Sequence, residues 1–151
     1  MELIKQLIAL DAIELKAEAA DWKEAVRIGV DLLIRVGAVE PRYYDSIVTT
    51  TATLGPWYLL APGLAMPHGR PGDGVNKNSF ALVTLKNPVN FGDPDNDPID
   101  ILVTLAATDA KTMNESSIVE VVTLLGDEDV VARIRASTTR ADLEAVFADF
   151  E

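Results

Sequence analysis

Apolar residues recur at helical spacing from Trp22 onward: Trp22, Ala25, Val26, Gly29, Val30 and Leu33, with Lys23, Glu24, Arg27, Asp31 and Arg35 largely on the other side. Asp21 stands where an N-cap belongs and Glu24 three residues later, a capping box with Asp in the first role, and Gly37 supplies a stop. An amphipathic helix is expected between them. A second is expected from near Pro41, because a missing N–H costs nothing at a helix start, fading through Thr49-Thr50-Thr51 before Gly55-Pro56. The pattern then changes. Trp57 to Leu60 and Leu64 to Met66 are short apolar runs separated by the turn signal Ala61-Pro62-Gly63. Ser79 to Leu85 and Ile99 to Ala107 are longer, rich in branched residues and nearly free of alternation, as strands buried on both faces are, although periodicity alone does not separate them from buried helix. A polar loop, Asn90 to Pro98, lies between them.

The last third returns to helical spacing in three stripes: Ile118, Val121, Val122 and Leu125; Val130, Val131 and Ile134 after Asp127; and Leu143, Val146, Phe147 and Phe150, entered through Thr139-Arg140-Ala141-Asp142. Helices, then strands, then helices predict an α/β fold with a central sheet and helices packed on its faces. No repeat, low-complexity tract or long linker divides the chain, so residues 1–151 are expected to form one domain.

Composition narrows the chemistry. With 48% hydrophobic and 25% charged residues the chain reads as globular rather than disordered. Its net charge of −11 repels phosphate backbones and its 13 Lys and Arg are scattered, so nucleic acid is not an expected partner; a basic protein is compatible. The absence of Cys excludes disulfides and thiolate-bound metals, and a single histidine excludes a His-rich metal site. No metal or cofactor is expected: there is no P-loop, no Gly-x-Gly-x-x-Gly after a strand and no Gly-x-Ser-x-Gly elbow. Asp93-Pro94-Asp95-Asn96-Asp97 hints at a calcium loop but has Pro98 and Thr104 where Gly and Glu belong, and reads as a polar turn. No apolar stretch is long enough to span a bilayer, and the first residues lack a basic stretch before an apolar core, so no signal peptide and a cytoplasmic location are expected.

The one histidine, His68, lies in Leu64-Ala65-Met66-Pro67-His68-Gly69-Arg70-Pro71-Gly72-Asp73-Gly74. Pro67 stiffens the chain before it, and Gly69, Gly72 and Gly74 allow tight turns and positive φ. Such a loop lets backbone N–H groups converge on an anion, and the Arg70 fork suits phosphate oxygens. A phosphorylated histidine needs these parts: an exposed nucleophilic nitrogen, a ring held through its other nitrogen, and donors for the incoming oxygens.

The segment Pro62 to Gly69 resembles the active-site motif of the EIIA domains of the bacterial phosphoenolpyruvate-dependent sugar phosphotransferase system, mannitol/fructose type. Val39 to Tyr44, Leu60 to Pro71, Phe80 to Leu85 and Asp95 to Leu102 are similar, more narrowly, to its ascorbate-specific members, and the likeness runs through essentially the whole chain. The resemblance implies a mixed sheet flanked by helices. It also implies a phosphotransferase component in which His68 accepts a phosphoryl group, on Nε2, from phospho-HPr and passes it to an EIIB cysteine. A membrane EIIC would complete the system, leaving this chain cytoplasmic or peripheral to the permease. Gly69, Arg70 and Asn114 are the expected supporting residues. The chain departs from the wider family in two places: the second histidine falls near Met113 or Asn114, and the arginine about 16 residues before the active histidine falls at Thr51 or Ala52. Those departures motivate a second reading, a regulatory EIIA-like module that controls a protein partner without sugar transport.

Overall fold

The structure, a computed structural model, describes residues 1–151. The helix expected after Asp21 is α2 (Trp22–Arg35); it follows α1 (Glu2–Leu10) and strand β1 (Ile13–Ala17) and precedes α3 (Arg42–Leu54). The Asp21 carboxylate accepts the Glu24 N–H at 2.9 Å. Glu24 closes the cap one residue further out than a standard box, on the Ala20 N–H. Helix α3 does not fade through its threonines. Thr51 and Thr53 donate their hydroxyls to the carbonyls of Ile47 and Thr49, which satisfies them inside the helix until Gly55.

Strands β2 (Leu59–Ala61), β3 (Leu64–Ala65), β4 (Ser79–Val89) and β5 (Ile99–Ala106) join β1 in one five-stranded mixed sheet of order β1-β4-β5-β3-β2. The pairs β1·β4 and β3·β5 are parallel, and β4·β5 and β2·β3 are antiparallel. After β5 come α4 (Ala110–Thr112), a π-helical turn at Met113–Ser117, α5 (Ile118–Leu125), α6 (Glu128–Ala136) and α7 (Arg140–Phe150). The lack of alternation in β4 and β5 has the expected cause. Leu82, Ile101, Val103 and Leu105 point into a cluster with α1 and the C-terminal helices, while Ala81, Val83, Leu102 and Ala106 point into a second with α2 and α3. No helix is long and apolar enough to cross a membrane.

Three details correct the sequence reading. Helix α1 and strand β1 precede everything read from the pattern; Leu3, Ile4 and Leu7 form a buried stripe too short to stand out. Val122 is not part of the buried stripe of α5: it is 47% exposed, and Leu124 takes its place beside Val121 and Leu125. Strand β4 runs to Val89, past the predicted end at Leu85. The polar turn before β5 is organised by carboxylates. Asp97 accepts the N–H groups of Phe91, Gly92 and Asp93 at 2.7, 2.8 and 2.9 Å, and Asp93 accepts from Asp95 N–H and the Asn96 amide.

Helix α7 carries a complete capping box, with the Thr139 hydroxyl accepting the Asp142 N–H at 3.1 Å and the Asp142 carboxylate accepting the Thr139 N–H at 3.2 Å. Thr139→Ala is expected to destabilise the protein by about 1 kcal/mol. A urea titration checks this as a lower midpoint at unchanged slope.

Candidate functional site

His68 is delivered to the end of the sheet by strand pairing. Leu64 and Ala65 pair in parallel with Ile101 and Leu102. Beyond β3, the Met66 N–H donates to the Tyr58 carbonyl at 3.0 Å and the Leu105 N–H donates to the Pro67 carbonyl at 3.1 Å. Pro67 has no N–H to satisfy, so it suits the last paired position before the chain turns away. His68 therefore sits at the carboxyl end of β3. The segment Ala110 to Asn114 leaves the carboxyl end of the neighbouring β5, its start fixed by the Asp109 carboxylate accepting the Thr112 N–H at 2.7 Å. Carboxyl ends of adjacent parallel strands are where open α/β sheets form crevices.

The crevice is a cleft of about 390 Å³ whose lining includes Thr50, Leu54, Trp57, His68, Arg70 and Asn114. Sequence reasoning reached His68, Gly69, Arg70 and Asn114, and all four line it. It did not reach Thr50, Leu54 or Trp57, which come from the end of α3 and the turn after it, remote in sequence and without a motif. In a chain with 24 Asp and Glu, no carboxylate lines this cleft, and Arg70 is its one cation. Arg70 makes no ion pair with any carboxylate.

The imidazole has one committed nitrogen. Its Nδ1 lies 2.9 Å from the Met66 carbonyl. A carbonyl only accepts, so Nδ1 carries the proton and Nε2 carries the lone pair. Nε2 makes no hydrogen bond within the chain and is not sealed from solvent. His68 as a whole is only 6% exposed, and the Trp57 ring lies edge-on to the imidazole at 4.5 Å and 88°. The aromatic cover leaves one nitrogen open.

Burial lowers the His68 pKa from its ordinary value, and the hydrogen bond to Met66 raises it by less. The ring is thus neutral at neutral pH, as a nucleophile must be. As pH falls below the ordinary value of 6.5, the unfolded chain takes up a proton before the folded one. The stability linked to this group is complete above 6.5 and drains away as pH falls through the lower native value. An NMR titration of the imidazole is expected to give a midpoint below 6.5; a midpoint at or above it would contradict this environment.

The glycines play a different part from the one expected. Gly69 and Gly72 are not at positive φ; in this loop only Gly74 is, at 104°. A Cβ on Gly69 would lie 2.8 Å from the Ser46 hydroxyl and 3.2 Å from the Tyr43 ring, so this glycine lets the loop lie against α3. Nor is its N–H free for an anion: it donates to the Tyr43 hydroxyl at 2.9 Å. The two departures from the wider pattern also have places. Thr51 is buried and bonded to the Tyr58 hydroxyl and the Ile47 carbonyl, so it contributes nothing to the cleft. Met113 fills the core with Asn114 exposed beside it, both on the π-turn and both lining the cleft with His68. Such turns recur at functional sites.

Comparison with known proteins bears on the family and the fold. The family model of the phosphoenolpyruvate-dependent sugar phosphotransferase system, EIIA 2, matches residues 6–149. The ascorbate-specific PTS system EIIA component of Escherichia coli strain K12 is 50% identical over 143 residues, covering 95% of this chain and 93% of that protein. Among solved structures, the mannitol-specific cryptic phosphotransferase enzyme IIA CmtB of E. coli superposes with a TM-score of 0.85 at 29% identity, covering 99% of each chain. The complex of enzyme IIAMtl with phosphorylated enzyme IIBMtl of E. coli matches at a TM-score of 0.79 and 26% identity, covering 92% of this chain and 95% of that one. The chain belongs to the type-2 EIIA family of the phosphoenolpyruvate-dependent sugar phosphotransferase system.

Proposed function

We propose that residues 1–151 act as one EIIA domain of an ascorbate-type phosphotransferase system, with His68 Nε2 as its phosphoryl carrier. The observation that carries the reading is the division of labour on the ring: Nδ1 is tied to Met66 while Nε2 opens onto a carboxylate-free cleft. In the loading step the Nε2 lone pair forms a bond to phosphorus as the bond from phosphorus to the donor, phospho-HPr, breaks; Nδ1 keeps its proton. In the unloading step an EIIB thiolate attacks phosphorus and the Nε2–P bond breaks, returning the electron pair to the ring. The ascorbate assignment and the EIIB partner rest on the 50% identical relative and on the mannitol complex. The family's chain of transfer supports HPr as donor, a membrane EIIC beyond EIIB, and with them a cytoplasmic location beside a permease.

Arg70 serves as the cation and Asn114 as a neutral donor toward the phosphoryl oxygens, in place of a second imidazole; Gly69 acts through close packing rather than as a donor. Incubation with phosphoenolpyruvate, enzyme I and HPr should place one acid-labile, base-stable phosphate on His68, and an ascorbate-system EIIB should remove it onto its cysteine. A chain that never takes up label sinks the carrier reading. Label that no EIIB accepts supports the regulatory module instead.

A further inference from the structure

Leu105, the penultimate residue of β5, holds both flanks of His68. Its N–H donates to the Pro67 carbonyl at 3.1 Å. On the other side the Leu105 carbonyl accepts the Tyr43 hydroxyl at 2.7 Å, and that hydroxyl accepts the Gly69 N–H at 2.9 Å. After His68 the Gly69 N–H makes no direct bond to Leu105, and the phenol oxygen links the two. Tyr43 comes from α3, is 0% exposed, and spends its one proton and an acceptor lone pair on these two bonds. Burial pushes its phenol well above the usual range, further than the Gly69 N–H lowers it, so the hydroxyl keeps its proton.

The consequence reaches the imidazole through the backbone. The bond from Nδ1 to Met66 spans only two residues, so its geometry depends on the torsions from Met66 to His68, a stretch seated by the peptides on either side of it. Pro67 and Leu105 fix one end of that stretch and Tyr43 fixes the other. Resting on the assignment of His68 as the phosphoryl acceptor, we infer that Tyr43 is a positioning residue for phosphoryl transfer. By linking the Gly69 N–H to the Leu105 carbonyl, its hydroxyl keeps Nδ1 on Met66 and Nε2 presented to the cleft.

Tyr43→Phe removes the hydroxyl and keeps the ring. Tyr58→Phe is the matched control: its hydroxyl is equally buried and loses a 2.8 Å bond to Thr51, away from the loop. At saturating phospho-HPr the Tyr43→Phe rate is expected to fall about ten- to a hundredfold with KM little changed, since small misplacements of a reacting group carry penalties of that size. Tyr58→Phe should stay within about twofold of the parent at a comparable loss of melting temperature. The readout that a purely structural role does not move is the 15N spectrum of His68. In Tyr43→Phe it should shift from one neutral tautomer toward a mixture, and in Tyr58→Phe it should not. Phosphoryl transfer within twofold of the parent, with an unchanged tautomer, overturns the inference. If Tyr43→Phe does not fold, 3-fluorotyrosine placed at position 43 keeps the shape and weakens the acceptor; an unchanged tautomer there is equally fatal. The tautomer readout needs no phosphate, so it decides the role of Tyr43 even where the parent fails to accept phosphate, a failure that defeats the carrier assignment alone.

Discussion

His68→Ala is expected to reduce phosphate uptake from phospho-HPr by at least about 10⁴-fold, the scale on which removal of a nucleophile acts. The size of the effect follows from the sequence as much as from the site. The chain has no other histidine and no cysteine, so no second imidazole or thiolate can take over. Arg70 and Asn114 stay in place in the variant, but each offers only donors or a neutral amide to the phosphoryl group. The fold should survive. His68 lies at the mouth of a cleft rather than in either hydrophobic cluster, and the loss of its edge contact with Trp57 costs about 0.5–1.5 kcal/mol. Label measured after incubation with phosphoenolpyruvate, enzyme I and HPr should be absent while circular dichroism is unchanged. Persistence of label in the variant would reassign the carrier to another residue.

Gly29→Ala is expected to give the largest stability loss for the smallest chemical change. Gly29 lies in α2 where that helix crosses β5, and a Cβ there would sit 2.3 Å from the Thr104 hydroxyl, 3.1 Å from the Thr104 Cβ and 3.7 Å from Val83. The first distance is a collision that rotation of Thr104 could relieve, but the second forces helix and sheet apart. Overpacking of this kind costs about 1–3 kcal/mol, here placed at the upper end because a whole helix must shift. For a domain of this size that lowers the melting temperature by about 6–12 °C. The Thr104 hydroxyl is buried without a hydrogen-bond partner, so Thr104→Ala alone should cost much less than Gly29→Ala. Combining the two should recover part of the loss, because the collision is shared between them. Strict additivity of the single changes would show that the Thr104 hydroxyl takes no part in the collision, leaving its Cβ as the contact that makes Gly29 necessary.

How much of this was legible beforehand depended on the range of the interactions involved. Helix α2 was readable because its cap, its stripe and its stop are all local; the same holds for α7 with Thr139 and Asp142. Strands β4 and β5 were readable because burial on both faces leaves an unbroken apolar run. Strand β3 shows in the sequence as the short run Leu64 to Met66, but its pairing with Ile101 and Leu102 is recorded by no local pattern. The site divides the same way. His68, Arg70 and Asn114 were named from a motif and its departures, and the cleft brings them together. Trp57 was read only as the start of a strand, yet its ring covers the imidazole. Gly69 was named for conformational freedom and is needed for contact with Ser46 and Tyr43, residues on a different helix. The free N–H donors expected around an anion were absent at Gly69 for the same reason: a tyrosine 26 residues away claims that proton.

The division of labour on the His68 ring should decide which nitrogen carries phosphate, and the ring nitrogens report it themselves. With a single histidine, uniform 15N labelling gives unambiguous imidazole signals. After phosphorylation through enzyme I and HPr, phosphorus–nitrogen coupling should appear on Nε2, with Nδ1 still protonated and bonded to Met66. Coupling to Nδ1, or a phosphorylated chain with no coupling to either ring nitrogen, would contradict the account.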